Sequence, residues 1–238
     1  MQIRLRMHAL WGYSRRLRRF NMYVSILGDS ISTYPGFVPS GHPVFYTVEK
    51  CRALGLASVY DTWWAKVNQF LKAYLCINNS YSGSAVAGAS FPAACSAARA
   101  CALHQEAALP DIILIYIGAN DFARGYPIQG DSAACFEHAY ETMLKQIKAR
   151  YPRAWIFCGT LMDSYSARQP GLHLSSFSKG IPLEAYNAAI RSACLRQGCL
   201  LADLAAQCVT YETLDGAHPT RDGHAAIAQC WINCLRRG

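Results

Sequence analysis

The 238-residue sequence contains no long apolar run and lacks the motifs of several enzyme classes. No stretch approaches the ~18 to 20 consecutive apolar residues of a membrane-spanning helix, so no span is predicted. The eleven cysteines include no C-x-x-C pair, which excludes a zinc knuckle and a thioredoxin-like motif. The patterns G-x-S-x-G, H-E-x-x-H and a Gly-rich phosphate loop are also absent, so an α/β-hydrolase elbow, a zinc protease site and a P-loop are not expected. We predict no metal and no organic cofactor.

Acidic residues are missing from the first 21 positions, where six arginines account for most of the net charge of +8. The remaining chain carries about +2 and shows no basic patch interleaved with aromatics, so no nucleic-acid partner is predicted. We interpret residues 1–21 as a disordered basic extension, with an RNA-binding or membrane-surface arm as the alternative. This segment does not resemble a secretory signal, and most cysteines lie among apolar residues, which favours a reducing, cytoplasmic location.

Short apolar runs alternate with longer segments of helical period, which predicts one α/β domain over residues 22–238. The pattern is that of a five-stranded parallel sheet between two helix layers, a three-layer α/β/α arrangement of the flavodoxin-like type. The predicted strands are Tyr23–Leu27, Leu75–Ile77, Ile112–Ile117, Trp155–Cys158 and Cys199–Leu201. The predicted helices are Thr62–Tyr74, Ser132–Arg150, Pro182–Arg196 and Pro219–Leu235, two of them with proline at the first helical position. Two long loops, 31–61 and 161–181, follow the first and fourth strands, where loops of this length tend to be functional.

Ser30 follows a buried strand in the tripeptide Gly28-Asp29-Ser30, at a carboxyl end where open α/β sheets bind their ligands. The chain repeats the tripeptide at Gly130-Asp131-Ser132, but there a polar loop precedes it and a helix follows. Asp131 or Ser132 is therefore expected to cap that helix. Only the first copy is a candidate nucleophile.

A serine hydroxyl needs a base, and the stretch Asp215-Gly216-Ala217-His218-Pro219 offers a histidine with an acid three residues before it. That spacing lets Asp215 accept from one ring nitrogen and leaves the other free for Ser30. The alternative is an ordinary surface turn. His224 is a second candidate base, but Arg221 stands where an orienting acid would be, so a packing role is favoured.

Two further strand ends offer hydrogen-bond donors for an oxyanion. The third strand runs into Gly118-Ala119-Asn120-Asp121, which brings the Asn120 amide to the edge where Ser30 lies. The second runs into Asn78-Asn79-Ser80-Tyr81-Ser82-Gly83, whose glycine lets the backbone N–H approach closely. Both segments are also ordinary turn sequences.

The ordered set of Gly-Asp-Ser, a mid-chain glycine, Gly-x-Asn-Asp and Asp-x-x-His resembles the SGNH or GDSL-type hydrolases. The Gly-Asp-Ser-Ile-Ser-Thr-Tyr opening and Asp61-Thr62-Trp63-Trp64 also resemble bacterial GDSL-like lipases and acylhydrolases. The resemblance covers nearly the whole chain after Met22. It implies Ser30 as nucleophile, His218 as base, Asp215 as orienter, and Gly83 and Asn120 as oxyanion donors beside the Ser30 N–H. Gly88 is close enough to Gly83 to be an alternative.

The expected activity is that of a serine esterase or acylhydrolase acting on a small ester or an acylated carbohydrate. A carbohydrate O-acetyl esterase is the alternative substrate class. A non-catalytic carbohydrate- or protein-binding module with the same fold is the alternative from another functional class. Four aromatic residues are predicted to line an acyl or sugar pocket: Tyr34, Phe37, Tyr46 and Trp63.

Overall fold

The computed structural model describes residues 21–237 and contains the predicted sheet. The strands of the described residues are β1 Tyr23–Gly28, β2 Tyr74–Asn78, β3 Ile112–Tyr116, β4 Trp155–Gly159, β5 Ser164–Ser166, β6 Leu200–Ala202 and β7 Tyr211–Thr213. Five of them form a parallel sheet in the order β2-β1-β3-β4-β6. Each predicted strand is confirmed to within one residue at either end. The predicted extension, residues 1–21, lies outside the described residues except for Asn21.

The central strands are buried on both faces, which explains why their residues are apolar apart from Ser25. All five residues of β3 are buried, as are the last five of β1. β1 and β3 pair in register from Val24 with Ile112 to Gly28 with Tyr116, so both strands end at the same level. This shared carboxyl edge is where open α/β sheets place ligands, and the segments after β1, β2 and β3 all begin there.

Helices cover both faces of the sheet. In the described residues they are α1 Val48–Ala53, α2 Trp63–Leu71, α3 Ala97–Ala100, α4 Ala119–Arg124, α5 Phe136–Arg150, α6 Leu183–Gln197 and α7 Arg221–Arg237. α5 packs against α6 on one face, and α2 packs against α7 on the other. Phe136 meets Tyr186 between α5 and α6 with ring centroids 5.0 Å apart, and Trp63 stacks on Trp231 between α2 and α7 at 5.3 Å. The three-layer α/β/α prediction is confirmed.

The predicted helix starts need correction, because each helix begins later than its sequence pattern suggests. Pro182 has extended backbone and is the N-cap of α6, and Pro219 lies before α7 in a bridge to β7, so neither proline is the first helical residue. The N-cap of α5 is Cys135. Asp131 and Ser132 therefore do not cap that helix: Ser132 starts a turn in which its carbonyl accepts from the Cys135 N–H at 2.9 Å. No helix of the described residues is both long and apolar enough to cross a membrane.

The two long loops contain short elements that the sequence pattern does not reveal. α1 lies within the first loop, and β5 lies within the second. β5 pairs in parallel with β7 to form a separate two-stranded sheet. Each of these strands has only three residues, too few for a period-2 pattern to stand out.

His224 lies inside α7 and is fully buried, as a packing role requires. Its Nδ1 accepts a hydrogen bond from the Trp63 backbone N–H at 3.2 Å. Burial lowers the pKa of His224 to about 3, and the nearby charge of Lys66 acts in the same direction. The folded protein therefore holds this imidazole neutral in acid.

This buried imidazole is expected to destabilise the protein as the pH falls. The unfolded chain protonates His224 below about pH 6.5, whereas the folded chain does so only near pH 3. Unfolding therefore takes up a proton, which lowers the free energy of unfolding by up to about 1.4 kcal/mol per pH unit between those limits. His224→Asn keeps an acceptor for the Trp63 N–H and removes this proton uptake. Urea unfolding from pH 4.5 to 6.5 measures the difference.

Two buried carboxylates act in the opposite sense. Burial raises the pKa of Asp29 to about 6 and that of Asp121 to about 7, so the folded protein holds protons that the unfolded chain has released. Both remain in the His224→Asn protein and cancel when the two unfolding curves are subtracted. A difference that stays constant from pH 4.5 to 6.5 would contradict the assignment of a neutral buried His224.

Candidate active site

Ser30 emerges at the carboxyl edge of the sheet, where a short 3-10 helix, Ser30–Ser32, follows β1. Asp29 caps this helix, because its carboxylate accepts from the Ile31 N–H at 3.0 Å. The carbonyl of Ser30 accepts from the Thr33 hydroxyl at 2.9 Å. A Cβ atom at Gly28 would lie 2.6 Å from the Ser32 hydroxyl oxygen, so only glycine fits there. The turn is closely packed and leaves Ser30 only 8% exposed.

Asp215 and His218 form a hydrogen-bonded turn directly after β7. One carboxylate oxygen of Asp215 accepts from the backbone N–H groups of Ala217 at 3.0 Å and His218 at 2.8 Å. The other lies 2.8 Å from Nδ1 of His218. Burial alone would raise the pKa of Asp215, but the hydrogen bond and charge of His218 outweigh it and lower the pKa to about 2.

The turn brings His218 to Ser30 although 188 positions separate them in the chain. Nε2 of His218 lies 2.9 Å from the Ser30 hydroxyl oxygen. Together with the contact to Asp215, this makes a continuous hydrogen-bonded chain of hydroxyl, imidazole and carboxylate. The three residues predicted from the sequence are therefore brought together by the fold.

The small sheet of β5 and β7 fixes this turn. The Ser164 hydroxyl donates to the Gly216 carbonyl at 2.7 Å, and the Ser166 hydroxyl donates to the Leu214 carbonyl at 2.9 Å. The Gly216 N–H donates to the hydroxyl of Thr213 at 2.9 Å. Three hydroxyl groups thus hold the turn from both sides, and sequence reasoning missed all of them because serine and threonine are common in loops.

The predicted oxyanion donors surround the same point of the edge. The Asn120 amide donates to the Ser84 carbonyl at 3.0 Å, directly beside Gly83. Within residues 21–237, the backbone N–H groups of Ser30 and Gly83 have no hydrogen-bond acceptor. The alternative glycine, Gly88, instead donates its N–H to a backbone carbonyl at 2.8 Å. This geometry favours Gly83 over Gly88 as a donor to a bound molecule.

A comparison with known protein families identifies the family of this chain. The model of the GDSL-like Lipase/Acylhydrolase family matches residues 22–167, more than half of the sequence. The chain belongs to this family. It is accordingly a hydrolase that acts on ester bonds. Asp215 and His218 lie beyond the matched residues, and no curated protein sequence matches the chain.

Solved structures resemble the hydrolase at low sequence identity. A protein described as a GDSL-like lipase from Bacteroides ovatus is 23% identical with a TM-score of 0.72, and the match covers 92% of this chain and all of that one. A similar protein from Bacteroides uniformis is 24% identical with a TM-score of 0.72, covering 92% and 98% of the two chains. An active-site mutant of a family two carbohydrate esterase from Clostridium thermocellum is 18% identical with a TM-score of 0.57, covering 93% and 65%. Likeness at this level shows the shared fold.

Helix α4 of the hydrolase holds the segment that carries Gly83. Asn120 binds the Ser84 carbonyl, and Arg124, one turn further on, donates to the Gly83 carbonyl at 2.7 Å. Between them, Asp121 accepts from the N–H groups of residues 86 and 87 at 2.8 and 2.9 Å. Three side chains of one six-residue helix therefore fix the loop after β2. The sequence pointed to Asn120 but not to the helix or to Arg124.

Phe45 is a site residue that sequence reasoning missed. Its ring stacks on His218 with centroids 3.3 Å apart and an angle of 7° between the planes. The ammonium group of Lys50 lies 3.7 Å from the centroid of the same ring. The Phe45 N–H donates to the Thr33 hydroxyl at 3.0 Å, which ties this segment to the turn of Ser30. The Thr47 N–H donates to the Phe45 carbonyl at 2.9 Å, a tight turn about the buried Tyr46, so the prediction of Tyr46 as a pocket residue was one position away.

The four predicted pocket residues divide into two groups. Phe37 is 40% exposed and Tyr34 half-buried, with their rings edge to face at 6.0 Å. Tyr46 and Trp63 are fully buried, and the Trp63 indole N–H donates to the Ser32 hydroxyl at 3.0 Å. The prediction is wrong for Tyr46 and Trp63, because neither presents a surface to a substrate. In the described part of the chain, no group of three or more His, Cys, Asp or Glu side chains is arranged to hold a metal ion.

Proposed function

We propose that this hydrolase cleaves carboxylic esters by two acyl transfers through Ser30. The observation that carries the proposal is the hydrogen-bonded chain of Ser30, His218 and Asp215, with distances of 2.9 and 2.8 Å. Nε2 of His218 takes the hydroxyl proton as the Ser30 oxygen attacks the acyl carbon, and passes it to the departing alcohol. His218 then deprotonates the water that releases the acyl group. Asp215 holds the imidazole and stabilises its charged form.

The oxyanion of each tetrahedral intermediate would accept from the Ser30 N–H, the Gly83 N–H and the Asn120 amide. The two backbone groups have no acceptor within residues 21–237, and Asn120 uses only one of its two amide hydrogens on Ser84. Fixed donors of this kind stabilise the transition state by a few kcal/mol each. They need no reorganisation, because α4 and the loop after β2 already hold them in place.

A carbohydrate O-acetyl esterase is the second candidate, and an aromatic group beside the site favours it. His42, Tyr81 and Phe91 contact one another, with His42 and Phe91 5.1 and 5.3 Å from the Tyr81 ring. The Tyr81 N–H donates to the Gly28 carbonyl at 3.3 Å, which places this group next to the turn of Ser30. Phe91 is 47% exposed, an aromatic face of the kind on which a sugar ring stacks. A structural neighbour is a carbohydrate esterase.

We also propose a cytoplasmic location for the hydrolase. All eleven cysteines lie within the described residues and none forms a disulfide, which supports a reducing, cytoplasmic location. We propose residues 22–238 as the hydrolase domain. A small ester or acylated carbohydrate is the proposed partner rather than nucleic acid.

The proposal is tested with a fluorophosphonate probe and a panel of substrates. The wild-type protein is expected to be labelled on Ser30 and to release acid from p-nitrophenyl esters or acetylated sugars, and Ser30→Ala is expected to lose both. Ser132→Ala is the matched control, since Ser132 lies in the second Gly-Asp-Ser tripeptide and is exposed. A wild-type protein that is neither labelled nor active on any substrate would instead support a binding module. The relative rates on the two substrate sets decide between a general esterase and an O-acetyl esterase.

A further inference from the structure

Arg99 is a fully buried arginine whose guanidinium uses every one of its five N–H donors. Its Nε donates to the Asn79 side-chain oxygen at 3.1 Å. One terminal nitrogen donates to the Ser84 hydroxyl at 2.9 Å and the Pro92 carbonyl at 2.6 Å. The other donates to the Asn79 carbonyl at 2.8 Å and the Gly28 carbonyl at 3.1 Å. The side chain is 0% exposed and none of its partners is a carboxylate.

Four of the five acceptors belong to the segments that build the proposed site, and the fifth is the Pro92 carbonyl. Gly28 ends β1 two residues before Ser30, and Asn79 follows β2. Ser84 directly follows Gly83, and its carbonyl accepts the amide of Asn120. A single planar group therefore ties the strand end that presents the nucleophile to the loop that presents the Gly83 N–H.

The charge of this arginine is costly to bury, and packing alone does not explain it. Burial lowers the pKa of Arg99 to about 10, with the charge of Asp29 opposing the effect. An apolar side chain would fill the same volume without removing a charge from water. It would not orient five oxygen atoms from four residues, which the fixed fork of a guanidinium does and an ammonium group cannot.

We propose that Arg99 is a positioning residue that fixes the Ser30 N–H and the Gly83 N–H at the separation an oxyanion requires. Its guanidinium makes no hydrogen bond to Ser30, His218 or Asp215 and acts through the backbone that its hydrogen bonds hold. This inference rests on the proposed function. A displacement of a reacting group by about 1 Å can lower the rate about 100-fold.

The test compares Arg99→Lys with wild type in ester hydrolysis and in binding a trifluoromethyl ketone. The serine oxygen adds to the ketone carbonyl and its proton moves to histidine, so the adduct carries the oxyanion that the donors must stabilise. Lysine keeps the charge but cannot reach all five acceptors. We expect kcat per labelled site to fall at least about tenfold, KM to change little, and affinity for the ketone to fall in parallel with kcat/KM. Asn120→Ala gives the scale for losing one donor outright.

A matched control separates positioning from stability. Arg191→Lys breaks a bidentate pair with Asp203, in which the nitrogens lie 2.8 and 3.0 Å from the carboxylate oxygens, and Arg191 has no hydrogen bond to a residue of the proposed site. It is expected to lower the melting temperature with unchanged kcat and ketone affinity. If Arg99→Lys does not fold, Ser84→Ala decides in its place, because it removes one acceptor and should show the same selective loss of ketone affinity.

The outcomes distinguish this inference from the function on which it rests. A folded Arg99→Lys, or its substitute, with kcat and ketone affinity within twofold of wild type would overturn the positioning role and leave the esterase proposal intact. A higher KM and a lower melting temperature, without a loss of ketone affinity, would also overturn it. A wild-type protein inactive on esters and unlabelled by fluorophosphonate would overturn both.

Discussion

Replacing Ser30 or His218 by alanine is expected to lower kcat by on the order of 10⁵- to 10⁶-fold, and replacing both is expected to lower it little further. The reason is the single hydrogen bond of 2.9 Å that joins them. The hydroxyl is a nucleophile only when the imidazole takes its proton, and the imidazole has nothing to activate when the hydroxyl is gone. Steady-state hydrolysis of the best ester, with each protein checked for folding by circular dichroism, measures the effect.

The control for this experiment is Ser132→Ala combined with His138→Ala. Both residues are exposed, and His138 lies on α5. The control double variant should keep the wild-type kcat. Strictly multiplicative effects of Ser30→Ala and His218→Ala would mean that the two groups act separately, which contradicts a mechanism in which they move one proton together.

The sheet and its reactive edge were predictable because burial on both faces leaves a plain signal in the sequence. β3 is an unbroken apolar run and β1 is apolar apart from Ser25, and a polar residue follows each strand within four positions. A parallel sheet brings such ends together, so Ser30 and Asn120 could be placed at one edge without coordinates. Asp215 and His218 were predictable from their spacing, because a carboxylate three residues before an imidazole reaches it within one turn.

The parts that support the edge could not be predicted, because their roles depend on contacts between distant segments. Arg99 stands in an alanine-rich stretch and has no motif, yet its five partners come from four places in the chain. β5 and β7 are each three residues long and pair only with each other. The sequence predicted Trp63 as a pocket residue, but in the structure it is buried in the core, where its ring stacks on Trp231. Such side-chain directions follow from tertiary packing, which local patterns do not encode.

Asp215→Asn is expected to lower kcat by about 10⁴-fold while leaving the fold intact. The two oxygens of Asp215 have separate partners, which makes this substitution informative. One accepts from two backbone N–H groups at 2.8 and 3.0 Å, and an asparagine oxygen can keep those bonds. The other faces Nδ1 of His218 at 2.8 Å, and there asparagine places an N–H donor instead.

That exchange of an acceptor for a donor leaves His218 in the wrong tautomer. With a donor facing Nδ1, His218 carries its proton on Nε2 and cannot take one from Ser30. Asp131→Asn, in the second Gly-Asp-Ser tripeptide, is the matched control and should keep wild-type kcat and melting temperature. Because the pKa of Asp215 is about 2, its carboxylate is ionised throughout the assay range, and the expected loss should persist at every pH tested. A loss below tenfold would show that His218 does not depend on this carboxylate, and the proton would then need another route.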